Sequence, residues 1–207
     1  MSYIIAFIFI AILVGMVSTL FNIPLYLLIV LVVVIIGGRM LSVLNVTYRS
    51  KNLEKIEAHL ASTKNNQLNQ YILAQKEGTH AEQTEALDQV LLRYTAPLVQ
   101  GTYKATRAML HKDTKGALEA AATIPNVLMK NFALAQIEAC IGKRTVAGSY
   151  QLAKPWMRSM IAAIISYRDG DMPAFKRQKE AALNESAGIQ YFSNYYFFER
   201  IGEYVKK

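Results

Sequence analysis

Charge is missing from the start of this 207-residue chain: no Asp, Glu, Lys, Arg or His precedes Arg39, so all 23 Lys and Arg and all 15 Asp and Glu follow that point. A charge-free apolar stretch of that length does not belong on the surface of a water-soluble domain. Cysteine is nearly absent as well. The single Cys140 rules out a disulfide framework, and three His leave no Cys/His cluster to hold zinc. The sequence also lacks a phosphate loop, a dinucleotide fingerprint and a nucleophilic Ser elbow. The expectation from these absences is a chain that is not an enzyme and takes no cofactor and no metal.

What stands in the charge-free region is almost wholly Ile, Phe, Leu, Val, Ala and Met over residues 3–21, then an unbroken run of Leu, Tyr, Ile and Val over residues 25–36. One helix over residues 3–38 would be about 54 Å long, too long for a hydrocarbon core of roughly 30 Å. A break is therefore expected at Asn22 and Pro24, since Pro lacks the amide donor and pushes its predecessor toward extended geometry. The reading is a transmembrane hairpin of two helices, about 3–21 and 24–42, with Arg39 snorkelling at the exit. A cleavable signal peptide is disfavoured by the lack of a basic leader and by the second apolar run, and a single span with a re-entrant or interfacial segment is the other alternative. Arg39, Arg49, Lys51 and Lys55 follow the second helix, while the turn carries no charge. Both termini are then expected on the cytoplasmic side of the cell membrane, in a protein with two spans.

From residue 50 onward β-type alternation is scarce and apolar residues recur at helical spacing. Leu53, Ile56 and Leu60 mark one face of a first helix, and a second ends near Gly78. Thr79 and Glu82 form a capping box before a stripe of Leu87, Val90, Leu91 and Tyr94. Pro97 suits the first turn of a helix running to His111. Further starts and stops at Asp113, Pro125, Gly142, Thr145, Pro155, Asp171 and Ser186 give about nine or ten short antiparallel helices. The expected organisation is the hairpin at 1–42, juxtamembrane helices and linker at 43–78, and a helical repeat-like cytoplasmic domain at 79–207.

Aligning residues 110–118 with 167–175 at an offset of 57 places helix, acidic turn and an Ala-plus-large-apolar pair alike, and Ile141-Gly142 matches Ile201-Gly202 at an offset of 60. The stretch from Gly170-Asp171 through Phe175 to Ala182-Leu183 resembles the turn and second helix of a tetratricopeptide-like repeat, with Lys112 to Leu118 as a weaker copy. The resemblance covers about a third of the chain and names no particular family. It implies an all-α fold in which the hairpin is followed by a stack of antiparallel helices whose inner surface holds a peptide or another protein.

The net charge of +8 sits in residues 100–179, which alone hold an excess of 8 basic residues. On the helix after Pro97, Gln100, Lys104, Arg107 and His111 fall on one polar stripe opposite Tyr103, Thr106 and Leu110. With Lys154 and Arg158 they are candidates for a partner-binding surface, set against the simpler reading of a solvated helix face. Such a surface suits an acidic protein segment or the inner leaflet. Nucleic acid is disfavoured because the basic residues are not interleaved with exposed aromatics. Tyr191, Tyr195 and Phe198 share a face of an aromatic C-terminal helix, expected to close the stack or to form an interface. Cys140 reads as a small buried apolar residue rather than a nucleophile. Glu77 and His80 have metal-like spacing, but Gly78 and Thr79 part them between two helices. The function expected is a membrane-anchored adaptor or scaffold whose partners are the lipid bilayer and a protein, a second copy of the chain included. The alternative is an accessory subunit that contacts a membrane complex through the hairpin.

Overall fold

A computed structural model describes residues 24–63 and 65–205, with the single positions 9, 12, 15, 16, 19 and 20. The chain is 81% helix, with no strand among the described residues. It divides into two compact units, Met1–Asn45 and Val46–Lys207.

Helix α1 (Leu25–Tyr48) begins directly after Pro24, the Leu27 amide donating to the Pro24 carbonyl at 2.9 Å. Within it Tyr26–Tyr48, 23 residues, is long and apolar enough to cross a membrane. Tyr26, Ile29, Val33, Ile36 and Met40 are all exposed. Among the described residues this is the one helix of that kind, where two spans were expected; most of the first expected span, 3–21, lies outside the described residues. The expected end at residue 42 is also corrected: the helix runs on to Tyr48, because residues 41–48 contain neither Gly nor Pro to stop it and keep apolar Leu41, Val43 and Leu44.

Among the described residues the second unit holds eleven helices, more than the nine or ten expected: α2 (Leu53–Ser62), α3 (Gln67–Glu77), α4 (His80–Arg93), α5 (Pro97–Leu110), α6 (Thr114–Ala122), α7 (Val127–Cys140), α8 (Arg144–Ser149), α9 (Pro155–Arg168), α10 (Met172–Asn184), α11 (Gly188–Glu199) and α12 (Ile201–Tyr204). The periodicity missed the four-residue α12, too short to show a stripe. Asn52, Asn66, Thr79, Asp113, Asn126 and Asp171 each cap a helix by accepting a backbone N–H, and the Thr79–Glu82 capping box is formed in both directions. Pro97 and Pro155 open α5 and α9, where a missing amide hydrogen costs nothing.

Three helix pairs share one connection. Helices α5, α7 and α9 are each 14 residues long, and each ends in a turn whose middle residue has positive φ: Lys112 (60°), Gly142 (88°) and Gly170 (78°). In each, the next amide reaches back six residues inclusive: Asp113 to Ala108 at 2.9 Å, Lys143 to Glu138 at 2.8 Å, Asp171 to Ser166 at 3.0 Å. These are Schellman closures, which satisfy the last helix carbonyls. In the first and third, the same Asp then caps the following helix. The equivalence of Lys112 and Gly170 is an offset of 58, one more than sequence alignment proposed. Gly142 pairs with both of them and not with Gly202, which lies inside α12 without positive φ.

Each helix from α2 to α11 packs on its neighbour in sequence, α7–α9 and α5–α7 contacts add further links, and α11 returns to α2 and α3 while α12 touches α5. The end of the chain thus closes on the beginning of the unit. Phe192 of α11 is fully buried with Ile56, Leu60, Leu87 and Val90, whereas Phe198 of the same helix is buried with Trp156, Met160, Ile164 and Phe175. A third core is made of small residues, Ala105, Ala117 and Ala121 with Ile124 and Ile137. Gly101 serves that close approach, since a Cβ there would come within 2.8 Å of Ile124 Cγ1.

Candidate binding cavity

Alternate helices turn one face to a common cavity of about 340 Å³. Helices α3, α5, α7 and α9 supply its wall, and α11 with Tyr204 of α12 closes it. The wall is legible as helical register: Thr102, Thr106 and Met109 lie one turn apart along α5, with Tyr103 beside Thr102, and Phe132, Gln136 and Cys140 lie one turn apart along α7. Met129, at the start of α7, is exposed, Met109 is partly buried and Met160 is 4% exposed, so the thioethers run from mouth to floor. Trp156, the only Trp in the chain, lines the floor and meets Phe132 edge-on at 5.0 Å between centroids.

No residue lining the cavity is charged; its polar groups are amides, Ser and Thr hydroxyls and Tyr phenols. Burial raises the phenol pKa of Tyr71 and Tyr103 and pushes that of Tyr204 up to about 12 despite Arg200 nearby, so all three remain neutral at physiological pH. Burial likewise pushes the Cys140 thiol up to about 12 against the pull of Arg168. A thiol held protonated is a poor nucleophile.

Two amides on this lining are paired at one end only. Gln75 Nε2 donates to the Tyr71 hydroxyl at 2.9 Å, one turn back along α3, leaving its buried Oε1 without a partner. Gln190 Nε2 at the mouth donates to Asn194 Oδ1 at 2.7 Å, one turn along α11, leaving Nδ2 of Asn194 without one. Asn194 is 1% exposed. An unsatisfied buried polar atom costs roughly 1–3 kcal/mol, so these are expensive positions to leave half-bonded. Gln83, equally buried, shows the contrast: it donates to the Gly78 carbonyl at 3.0 Å and accepts from the Tyr204 hydroxyl at 3.3 Å. A further buried atom without a hydrogen bond, Glu138 Oε2, is outside this lining and lies 3.4 Å from Lys143 Nζ.

The basic candidates lie elsewhere. Gln100 donates to the carbonyls of Leu91 and Tyr94 at 2.8 and 2.7 Å, tying α5 to the turn before it. Arg107 pairs with Asp88 of α4 at 2.6 Å. His111 meets Thr84 at 3.3 Å and the His80 ring at 5.2 Å between centroids. Lys104, Lys154 and Arg158 are exposed, Arg158 reaching the Leu152 carbonyl at 3.4 Å. None of the six lines the cavity. Of the aromatic candidates, Phe198 is buried, Tyr191 packs partly into the first core, and Tyr195 lies under Lys179 at 5.8 Å. Glu77 is engaged with Lys76 at 2.9 Å, and His80 with the Leu110 carbonyl at 2.6 Å.

Gln75 and Asn194 escaped the sequence reading. Their signal was present: Asn194 is the one amide within the run from Tyr191 to Phe198, and Gln75 sits one turn from Tyr71 on an apolar face. No protein-family profile matches the chain, and no curated protein or solved structure matches it.

Proposed function

We propose that this chain is a membrane-anchored adaptor that binds a protein partner in the cavity between its alternate helices. The observation that carries the reading is the charge-free, half-satisfied lining on the faces that α3, α5, α7, α9 and α11 turn to one cavity. Helix α1 supplies the anchor: 24 residues make about 36 Å of helix, enough for a core of roughly 30 Å, and Tyr26 and Tyr48 stand near its two ends where aromatic belts form. The finer topology rests on the sequence: residues 3–21 make a first span, the turn at Asn22 and Pro24 faces the outside, and Arg39, Arg49, Lys51 and Lys55 hold the domain on the cytoplasmic side. Alternate helices facing inward are the arrangement a tetratricopeptide-like stack would have, and the shared Schellman turns support that reading. No catalytic role is proposed.

Photocrosslinkers at Thr106 and Ser193, inside the cavity, are expected to capture a partner in intact membranes that a crosslinker at Lys104, on the exposed side of α5, does not. Equal capture from the two faces would overturn the reading. The accessory-subunit alternative is favoured by one feature, the exposure of α1 side chains. It predicts that partner capture is lost when residues 1–45 are replaced by an unrelated anchor, whereas the adaptor keeps its partner.

A further inference from the structure

We infer that the cavity takes an uncharged peptide segment, held by a backbone amide between Asn194 and Gln75 and anchored by one apolar side chain. The inference rests on the adaptor reading and adds to it the chemistry of the ligand.

Asn194 Nδ2 is a donor without an acceptor, and Gln75 Oε1 an acceptor without a donor. A peptide C=O and N–H are the complementary pair, and both are neutral. A hydrocarbon tail would fill the apolar part but leave both amides unpaired. A carboxylate or phosphate would meet no cation, since no lining residue carries charge, and its desolvation would go uncompensated. The volume of about 340 Å³ is at the small end for ligand sites, which suits one anchoring side chain and its flanking backbone. Met109, Met129 and Met160 give that anchor an adaptable bed, with Phe132 and Trp156 as its rigid side. The chain's net charge of +8 suggested an acidic partner; the lining selects against one.

The test uses the full-length protein in phosphatidylcholine nanodiscs, reading the emission of Trp156, the only Trp. The probes are acetylated, amidated heptapeptide libraries: one of Gly, Ser, Asn, Leu, Met and Phe, and the same library with two Asp added. The neutral library is expected to shift the emission saturably, and the acidic one to bind at least tenfold more weakly. Asn194→Leu and Gln75→Leu are each expected to weaken neutral binding about 3- to 10-fold, the loss of one neutral hydrogen bond, without lowering the melting temperature. Removing a buried half-bonded amide and lowering the melting temperature would instead mark a structural role and overturn the assignment. Equal or tighter acidic binding would also overturn it. So would displacement of the signal by phosphatidylglycerol with the same affinity in wild type and Asn194→Leu, which would identify a lipid tail. If no peptide binds while the cavity crosslinkers still capture a partner, the ligand assignment fails and the adaptor reading stands; if both fail, the adaptor reading falls with it.

Discussion

At the scale of single residues, the three Schellman turns show how little sequence identity a shared geometry needs. Gly142 and Gly170 adopt positive φ freely, but Lys112 does so at φ 60°, where a Cβ costs roughly 1–2 kcal/mol. That is why sequence alignment slipped by one place: with Lys where a Gly was needed, the register was taken from Ala117 and Ala174 instead of from the turn. Lys112→Gly is expected to stabilise the domain by about 0.5–1 kcal/mol, the strain relieved less the entropy that Gly adds to the unfolded chain. Gly170→Ala, which meets no atom within 4 Å, isolates the same conformational cost and should destabilise by about 1 kcal/mol. Chemical denaturation of both variants checks the pair. An unchanged midpoint for both would mean that the turn backbone relaxes without strain. Gly142 is the poorer probe, because a Cβ there would also collide with the Arg168 guanidinium.

At the scale of elements, helices from α2 to α10 were visible through caps and apolar spacing, but their closure was not. Sequence periodicity reports that a helix buries a face; it does not report against what. The aromatic helix α11 was expected to close the stack or to form an interface, and its two ends serve different cores through Phe192 and Phe198. Closure is then locked by polar contacts between residues more than a hundred positions apart. Arg200 donates to the Gly78 carbonyl at 2.7 Å while paired with Glu203 at 2.8 Å, and Tyr204 donates to Gln83. Gly188, at φ 61°, donates to the Ser50 carbonyl at 2.7 Å, and a Cβ there would collide with the Thr47 carbonyl. The Tyr204 clasp makes a pH prediction. An ordinary phenol titrates near 10, and in the folded state Tyr204 holds its proton to about 12, so the folded form binds protons that the unfolded form has released. Its contribution to stability is therefore complete below pH 10 and lost as pH rises from 10 toward 12. The melting temperature is expected to be level from pH 7 to 9 and to fall above 10. Tyr204→Phe should melt lower at pH 8, because Gln83 loses a partner, yet fall less steeply above 10; equal slopes would remove Tyr204 from the account. Tyr71 and Tyr103, also raised by burial, keep the variant's melting temperature falling above pH 10, though less steeply.

At the scale of the whole molecule, the division of charge was the clearest message of the sequence, and the structure refines what it means. The chain divides into two units with the boundary at Asn45 and Val46, so the first takes in Arg39 as well as the uncharged start. The basic excess of residues 100–179, by contrast, left a partner-binding surface and a solvated helix face both open, because a linear sequence cannot separate a charge facing solvent, as Lys104, Lys154 and Arg158 do, from one facing a neighbour. Arg107 neutralises Asp88, Arg144 pairs with Asp169 at 3.1 Å, and Arg168 donates to the Cys140 carbonyl at 2.9 Å. The cavity was illegible for a related reason: its lining is assembled from five alternate helices and Tyr204 of α12, so no local window contains it. Because the hydrophobic cores draw almost wholly on residues after Asn45, a chain of residues 46–207 is expected to be monomeric, helical and soluble without detergent, and to melt within about 5 °C of the full-length protein, a shift of roughly 1–2 kcal/mol for a domain of this size. Circular dichroism and light scattering measure this directly. Aggregation with retained helicity would show that the first 45 residues shield an apolar surface of the domain, and the division into an anchor and a self-sufficient binding unit would then have to be abandoned.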